Sequence, residues 1–255
     1  MIEESEEAEE GETPDDGDNN DVSSGKAADS TALVDSVFST DIRSKFELFS
    51  YRNAASILAS SFPEQFAGLV QGLEDFEISQ EMIRTPGGSK GPIARYVDTL
   101  FVEDAGWVEA RISADLHVKL LHAKKSDFIL QEYMRRGFLD GHRIDFLNGR
   151  VALDLEWNSK DQTYDRDLYA FSAFYEAGAI DVGVVLTRGS SLDATYLKSL
   201  GKVLNKDGSE GTAEVYRKFG ASTTWMGKLL YRLDAGRNGG CPVLAIGITP
   251  NCVTS

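Results

Sequence analysis

The sequence predicts an α/β fold: a central mixed β-sheet flanked by helices, with a disordered acidic tail in front of it. Three observations lead there. Short β-rich runs alternate with amphipathic stretches of helical period. A hairpin, helix, strand unit can be read between Arg143 and Thr187. The acids are concentrated at the N-terminus, where residues 1 to 35 hold 13 Asp or Glu against the single Lys26.

That charge distribution divides the chain. The formal net charge is −15, of which the first 35 residues carry −12, so residues 36 to 255 are close to neutral at −3. Local potential, not the total, decides which partners a surface accepts, so the acidic sum does not exclude nucleic acid. The N-terminal stretch is rich in Ser, Gly, Asp and Asn and lacks aromatic residues, so it cannot bury enough apolar surface to offset its ordering entropy. It reads as a disordered tail over 1–35, with one domain over 36–255. At 42% hydrophobic and 10% aromatic residues, the body can form a substantial core.

The elements follow in order. Phe46, Leu48 and Phe49 mark a short strand, and Asn53 is placed to cap a helix carrying Ala54, Ala55, Ile57 and Leu58. Pro63 opens a second helix, in which Phe66, Leu69, Val70 and Leu73 recur at helical spacing. Pro86, Gly87, Gly88 and Gly91 break the chain before an amphipathic helix with Ile93, Val97, Leu100 and Phe101, ending near Gly106. Leu116, Val118 and Leu120 alternate as a strand over 108–121, and from Lys124 to Gly141 no period stands out. Arg143 to Trp157 then reads as a hairpin turning at Asn148 and Gly149, followed by a helix over 165–177 and a strand over 180–187. A helix over 193–200, a polar loop with Asn205, Gly208 and Gly211, and a strand over 242–248 complete the body.

Several function classes drop out. Cys241 and Cys252 form neither a CxxC pair nor a Cys/His cluster, so no disulfide framework or structural zinc is indicated. The chain opens on acids rather than a basic, apolar leader, and no apolar run reaches the about 18 residues of a membrane span. A cytoplasmic protein with no membrane partner is expected. The phosphate-binding GxxxxGK[ST] pattern is missing, so no nucleotide cofactor is expected.

The chemistry concentrates in RVALDLEW, residues 150–157. Strict alternation puts Val151, Leu153, Leu155 and Trp157 on one face and Ala152, Asp154 and Glu156 on the other. Asp145 lies on the preceding strand, where closing the turn brings it toward them. Two carboxylates about 4 Å apart repel by roughly 4 kcal/mol at an effective dielectric near 20, so a cation is called for. Hard oxygen ligands suit Mg²⁺, with Mn²⁺ as a substitute. The bland reading, a solvated face of an edge strand, accounts for the alternation equally well.

The flanking sequence adds a resemblance. FELFSYRNAASIL near 46, GGSKGPIARYVDTLFVEDAGW from 87, HRIDFLNGRVALDLEWNSKD with YDRDL, VGVVLTRG at 182 and GGCPVLAIGIT near the end resemble the BamHI/BglII branch of type II restriction endonucleases, within the PD-(D/E)xK nuclease superfamily. The likeness spans roughly residues 45 to 250. It implies a restriction-endonuclease-like core and Mg²⁺-dependent hydrolysis of double-stranded DNA at a short palindrome by a homodimer. Asp145 and Asp154 take the metal-ligand positions with the Leu155 carbonyl, and Glu156 stands where most of the superfamily carries Lys. In this chain Glu156 is either a ligand or the proton acceptor; Lys160 lies beyond the alternating stretch and is not assigned the missing lysine's role.

Asn158, Lys160, Arg188 and Lys218 are candidate DNA contacts, since phosphates take cations and base edges take bidentate polar groups. Arg188 fits a structural ion pair equally well, and Asn158 a turn. The stretch Tyr216 to Thr224 reads either as a groove-inserting loop or as a solvated one. His117, His122 and His142 are expected on the surface. Two rivals are kept: a glycoside hydrolase, whose paired carboxylates need no metal, and a DNA-binding module with structural acids.

Overall fold

The computed structural model describes residues 25–87, 90–103 and 105–255. Two short helices, α1 (Thr31–Val37) and α2 (Thr40–Lys45), precede β1 (Phe46–Tyr51). Then come α3 (Ala54–Ser61), α4 (Pro63–Asp75), β2 (Ile78–Ser79), α5 (Gln80–Arg84) and α6 (Pro92–Asp98), which runs into a π-helical turn at Thr99–Glu103. The long strands β3 (Val108–His122) and β4 (Lys125–Asn148) are followed by β5 (Val151–Glu156), α7 (Thr163–Glu176), β6 (Val182–Arg188) and α8 (Ala194–Ser199). A small hairpin of β7 (Lys202–Leu204) and β8 (Glu210–Glu214), a 3₁₀ turn at Val215–Phe219, α9 (Met226–Asp234), β9 (Val243–Ile248) and β10 (Val253–Thr254) complete the chain.

Six strands make the main sheet in the order β1-β9-β6-β5-β4-β3. β5, β6 and β9 run parallel to their neighbours in that central trio, whereas β1, β4 and β3 pair antiparallel, so the sheet is mixed as expected. Each face has its own core. Val151 and Leu153 of β5, with Val182, Val184 and Leu186 of β6, pack beneath the N-terminal helices. Ala152, Val185 and Ala245 face α7 and α9 through Phe171, Phe174 and Leu229. Gly183 sets how close α7 comes: a Cβ there would lie 2.4 Å from the Phe171 ring, so only glycine lets this helix rest on the sheet.

Three expectations need adjustment. Ordered structure begins earlier than residue 36: the backbone N–H groups of Lys26 and Ala27 donate to Asp234, Asp29 accepts from Ser50, and Val34 of α1 is buried. The short apolar set Leu33, Val34 and Val37 is enough to seat one turn of helix on α3. The remaining tail assignment lies outside the described residues. Asn53 does precede α3, but without a side-chain cap; its φ is +60°, a conformation Asn tolerates better than most residues, while Ser50 Oγ accepts the Ala55 N–H. The polar loop around Asn205 is the turn of the β7–β8 hairpin.

The largest discrepancy is the segment with no period. Residues 125–148 form one strand of 24 residues, antiparallel to β3 through several bulges. β5 accompanies it only at Phe146, Leu147 and Asn148, so most of the β3–β4 ribbon extends past the sheet.

Candidate active site

The site begins at the turn between β4 and β5. Asn148 pairs with Val151, so the connecting residues are Gly149 and Arg150, and Gly149 supplies the positive φ of 56°. Continuing the register one step past Phe146↔Leu153 sets Asp145 opposite Asp154. There the ladder opens, and side chains replace backbone bonds. The Asp145 N–H donates to Asp154 Oδ1 at 2.7 Å, and the Leu155 N–H donates to Asp145 Oδ2 at 3.4 Å.

β5 is an interior strand, which removes the reading of Asp154 and Glu156 as a solvated edge. Both are buried, at 3% and 5% exposure, under the first turns of α7. Thr163 Oγ1 donates to Glu156 Oε2 at 2.9 Å, and an Arg166 guanidinium nitrogen lies 3.5 Å from Glu156 Oε1. The same guanidinium holds Asp167 Oδ1 at 2.9 Å. Tyr164 and Thr187 bond each other at 2.6 Å, and Thr187 donates to the Glu156 carbonyl, fixing the end of β5 from below.

Asp167 is the acid that sequence reasoning did not single out. It is buried, and its carboxylate faces that of Glu156. YDRDL carried the signal: Asp167 lies four residues after Thr163, so one helical turn places both over the same strand end.

Crowding acids in a dry place raises their proton affinity. Burial, then the charges of Asp145 and Asp167, pushes Asp154 well above the usual carboxylate range. Glu156 is pushed up to about 8 by burial and by the adjacent Asp167. Asp145 is exposed as a residue but leans its carboxylate into the hairpin; desolvation raises it, and the Leu155 N–H pulls it back. Asp154 Oδ2 and Asp167 Oδ2 have no hydrogen-bond partner among the described residues. A buried carboxylate oxygen without a partner costs free energy, and a cation would relieve it.

Among the described residues no group of three or more His, Cys, Asp or Glu side chains is placed to hold a metal ion. A Mg²⁺ ion keeps several waters and can be held by one or two carboxylates. The donors that fit are Asp154 Oδ2, the Asp145 carboxylate and the Leu155 carbonyl.

The DNA-contact candidates do not gather in one place. Asn158, with φ +60°, and Lys218 line a cavity of about 310 Å³ together with Leu155 and Trp157, on the sheet face opposite the acids. Lys218 donates to the carbonyls of Ile83 and Thr85, and burial pushes its ammonium down to about 8. Lys160 is exposed and bridges to Thr223. Arg188 is buried: it donates to the carbonyls of Leu192 and Thr224, lies 5.3 Å over the Phe219 ring, and is pushed down to about 10 by burial. Its partners are these carbonyls and the Thr223 hydroxyl, not the acid a strand-end ion pair would have supplied. The 216–224 stretch is likewise anchored, with Thr224 fully buried. No helix among the described residues is long and apolar enough to cross a membrane.

A family model described as restriction endonuclease BglII/BglIII matches residues 46–248. Comparison with curated proteins gives no match.

Proposed function

We propose, from the premise that this chain belongs to the restriction endonuclease BglII/BglIII family and is a site-specific deoxyribonuclease, that it cleaves double-stranded DNA at a short palindrome with Mg²⁺ held by Asp145, Asp154 and the Leu155 carbonyl. Family membership sets the sugar-hydrolase reading aside. One observation carries the metal assignment: Asp154 is buried beside Asp145 with one carboxylate oxygen unpartnered.

When bound, Mg²⁺ supplies the positive charge that offsets the acids and the Lewis acidity for displacement at phosphorus. The protein's own groups do the rest. The Asp145 N–H holds the Asp154 carboxylate and the Leu155 N–H holds that of Asp145, so the site needs little reorganisation. Glu156, oriented by Thr163, would take the proton that the attacking water loses once it is ionised, a state that the charge of a bound Mg²⁺ would favour. Arg166, exposed along most of its side chain, tethers Asp167 from the solvent side and presents its remaining donors where a phosphate oxygen would enter. Lys160, exposed past the end of β5, and Asn158 beside it serve as contacts to duplex; Lys218, its ammonium held by the carbonyls of Ile83 and Thr85, shapes the wall of the cavity instead, and Arg188 acts through Thr223 and Thr224, as a positioning residue for that wall.

A palindrome presents two equivalent half-sites, which one chain type meets as a twofold homodimer with one carboxylate cluster for each strand. Asp145→Asn and Asp154→Asn should each abolish cleavage of a duplex library in Mg²⁺ while preserving duplex binding by gel shift. Cleavage by the wild type in full chelator would overturn the metal reading, and single, asymmetric cut ends would overturn the palindrome.

A further inference from the structure

The β3–β4 ribbon has no role in the site just described, yet it leaves the sheet on the side where that site opens. β4 runs antiparallel to β5, with Phe146 opposite Leu153 and Asn148 opposite Val151, so its outer residues lie beyond the end of β5 that carries Asp154 and Glu156. Register shifts at the positive-φ glycines Gly137 and Gly141 bend the ribbon on its way out.

The charge changes along it. Near the sheet the cations are engaged within the ribbon, Arg111 with Asp140 and Arg143 with Glu109. Farther out, Lys119 pairs with Glu132, but Lys124, Lys125, Arg135 and Arg136 are exposed and have no ion pair among the described residues. Residues 116–137 hold five Lys or Arg against Asp127 and Glu132, in a chain whose formal net charge is −15. The same outer half exposes Phe128, Ile129 and Leu130.

We propose that the outer ribbon is an arm that lies in a groove of the duplex flanking the cut, with Lys124, Lys125, Arg135 and Arg136 on its phosphates. Free cations are what phosphates select, because each contact releases condensed counterions. A two-stranded ribbon fits the major groove, and proteins that lay strands in a groove also set apolar side chains against bases. Cations and apolar side chains on one narrow ribbon thus suit a single partner.

Reach places the contact outside the palindrome. Arg136 is nine residues from Asp145 and Lys125 twenty. At about 3.3 Å per residue these distances are roughly 30 and 65 Å along the strand. With about 3.4 Å per base pair, the nearer cations fall about nine base pairs from the cut. The arm rests on the duplex-cleaving reading for its partner and goes beyond it in placing contacts on flanking DNA.

Two measurements on the full chain test it. Lys124→Ala, Lys125→Ala, Arg135→Ala and Arg136→Ala combined should lower affinity for a random duplex of about 50 base pairs at least tenfold, in metal-free buffer of low salt. The slope of log affinity against log salt should become shallower by about 3.6 for each bound copy, since each phosphate contact contributes about 0.9. Lys202→Ala with Lys206→Ala, exposed on the small hairpin, should leave both readings unchanged. Hydroxyl-radical footprints in chelator, on the duplex recovered from the library digest, should show wild-type protection about nine base pairs and more from the cut that the fourfold variant loses. An unchanged salt slope in the fourfold variant, an equal change in the hairpin control, or a wild-type footprint confined to the palindrome overturns the arm and leaves the cleavage reading standing. A fourfold variant that keeps its duplex affinity but sediments differently overturns the arm in favour of a protein partner. A wild type that binds no duplex overturns both the arm and the reading it rests on.

Discussion

β5 and the outer part of β4 are neighbouring pieces of one chain, and they obey different rules. β5 lies between two strands and under a helix on each face, so each side chain has an assigned surroundings: Val151 and Leu153 in one core, Ala152 in the other, Asp154 and Glu156 beneath α7. The outer β4 has one strand beside it and water on both faces, and it carries Phe128, Ile129 and Leu130 in succession. Burial enforces a period because a wrong residue costs free energy there; without burial nothing enforces it. The chemistry is built where the fold is over-determined, whereas one neighbouring strand and open solvent leave the order of side chains along the ribbon unconstrained.

The sharpest way to break this contrast is at the acids. Asp154→Asn should lower cleavage by on the order of a thousandfold, the scale of several kcal/mol of metal-dependent stabilisation. The same change should raise the melting temperature of metal-free protein at neutral pH, because it removes a carboxylate that must take up a proton to be buried. Wild-type cleavage in that variant, measured under single-turnover conditions, would show that the hairpin acids do not hold the metal.

Packing under α7 gives the next effect. Gly183→Ala forces a methyl into the Phe171 ring and should cost about 1–3 kcal/mol in urea unfolding, with cleavage falling because α7 carries Thr163, Arg166 and Asp167. At Gly137 on the ribbon a Cβ meets nothing within 4 Å, and only the φ of +58° opposes alanine, so a cost near 1 kcal/mol is expected. Equal costs at the two glycines would erase the contrast.

The pH dependence of the metal-free protein follows from the raised acids. Glu156 holds its proton in the fold up to about 8 but only to about 4.5 when unfolded, so its folded pKa is the higher one. Its contribution is therefore full below pH about 4.5 and is lost as pH rises through about 8; Asp154 acts in the same direction. Melting in chelator should drop between pH 5 and pH 9, and Mg²⁺ should restore most of the loss at pH 9. A flat melting curve against pH would mean that the acids are not desolvated.

The smallest effect belongs to the ribbon surface. Phe128→Ser should leave monomer stability within about 0.5 kcal/mol, since the ring is already half in water. A loss of several kcal/mol in dilute protein would show that the ribbon packs on its own body.

The sequence by itself determined the α/β class, the alternation of β5, the turn at Gly149 and the pairing of Asp154 with Glu156 on one face, because each follows from local period or backbone conformation. The hairpin reading brought Asp145 toward them across the turn, and the resemblance gave it a metal-ligand position. Only the tertiary structure decided that these carboxylates are buried rather than solvated, that Asp167 joins them, that Arg188 turns inward to Phe219, and that residues 125–148 form a single strand. Those outcomes depend on which surfaces other elements cover, and a local pattern carries no record of what will pack against it.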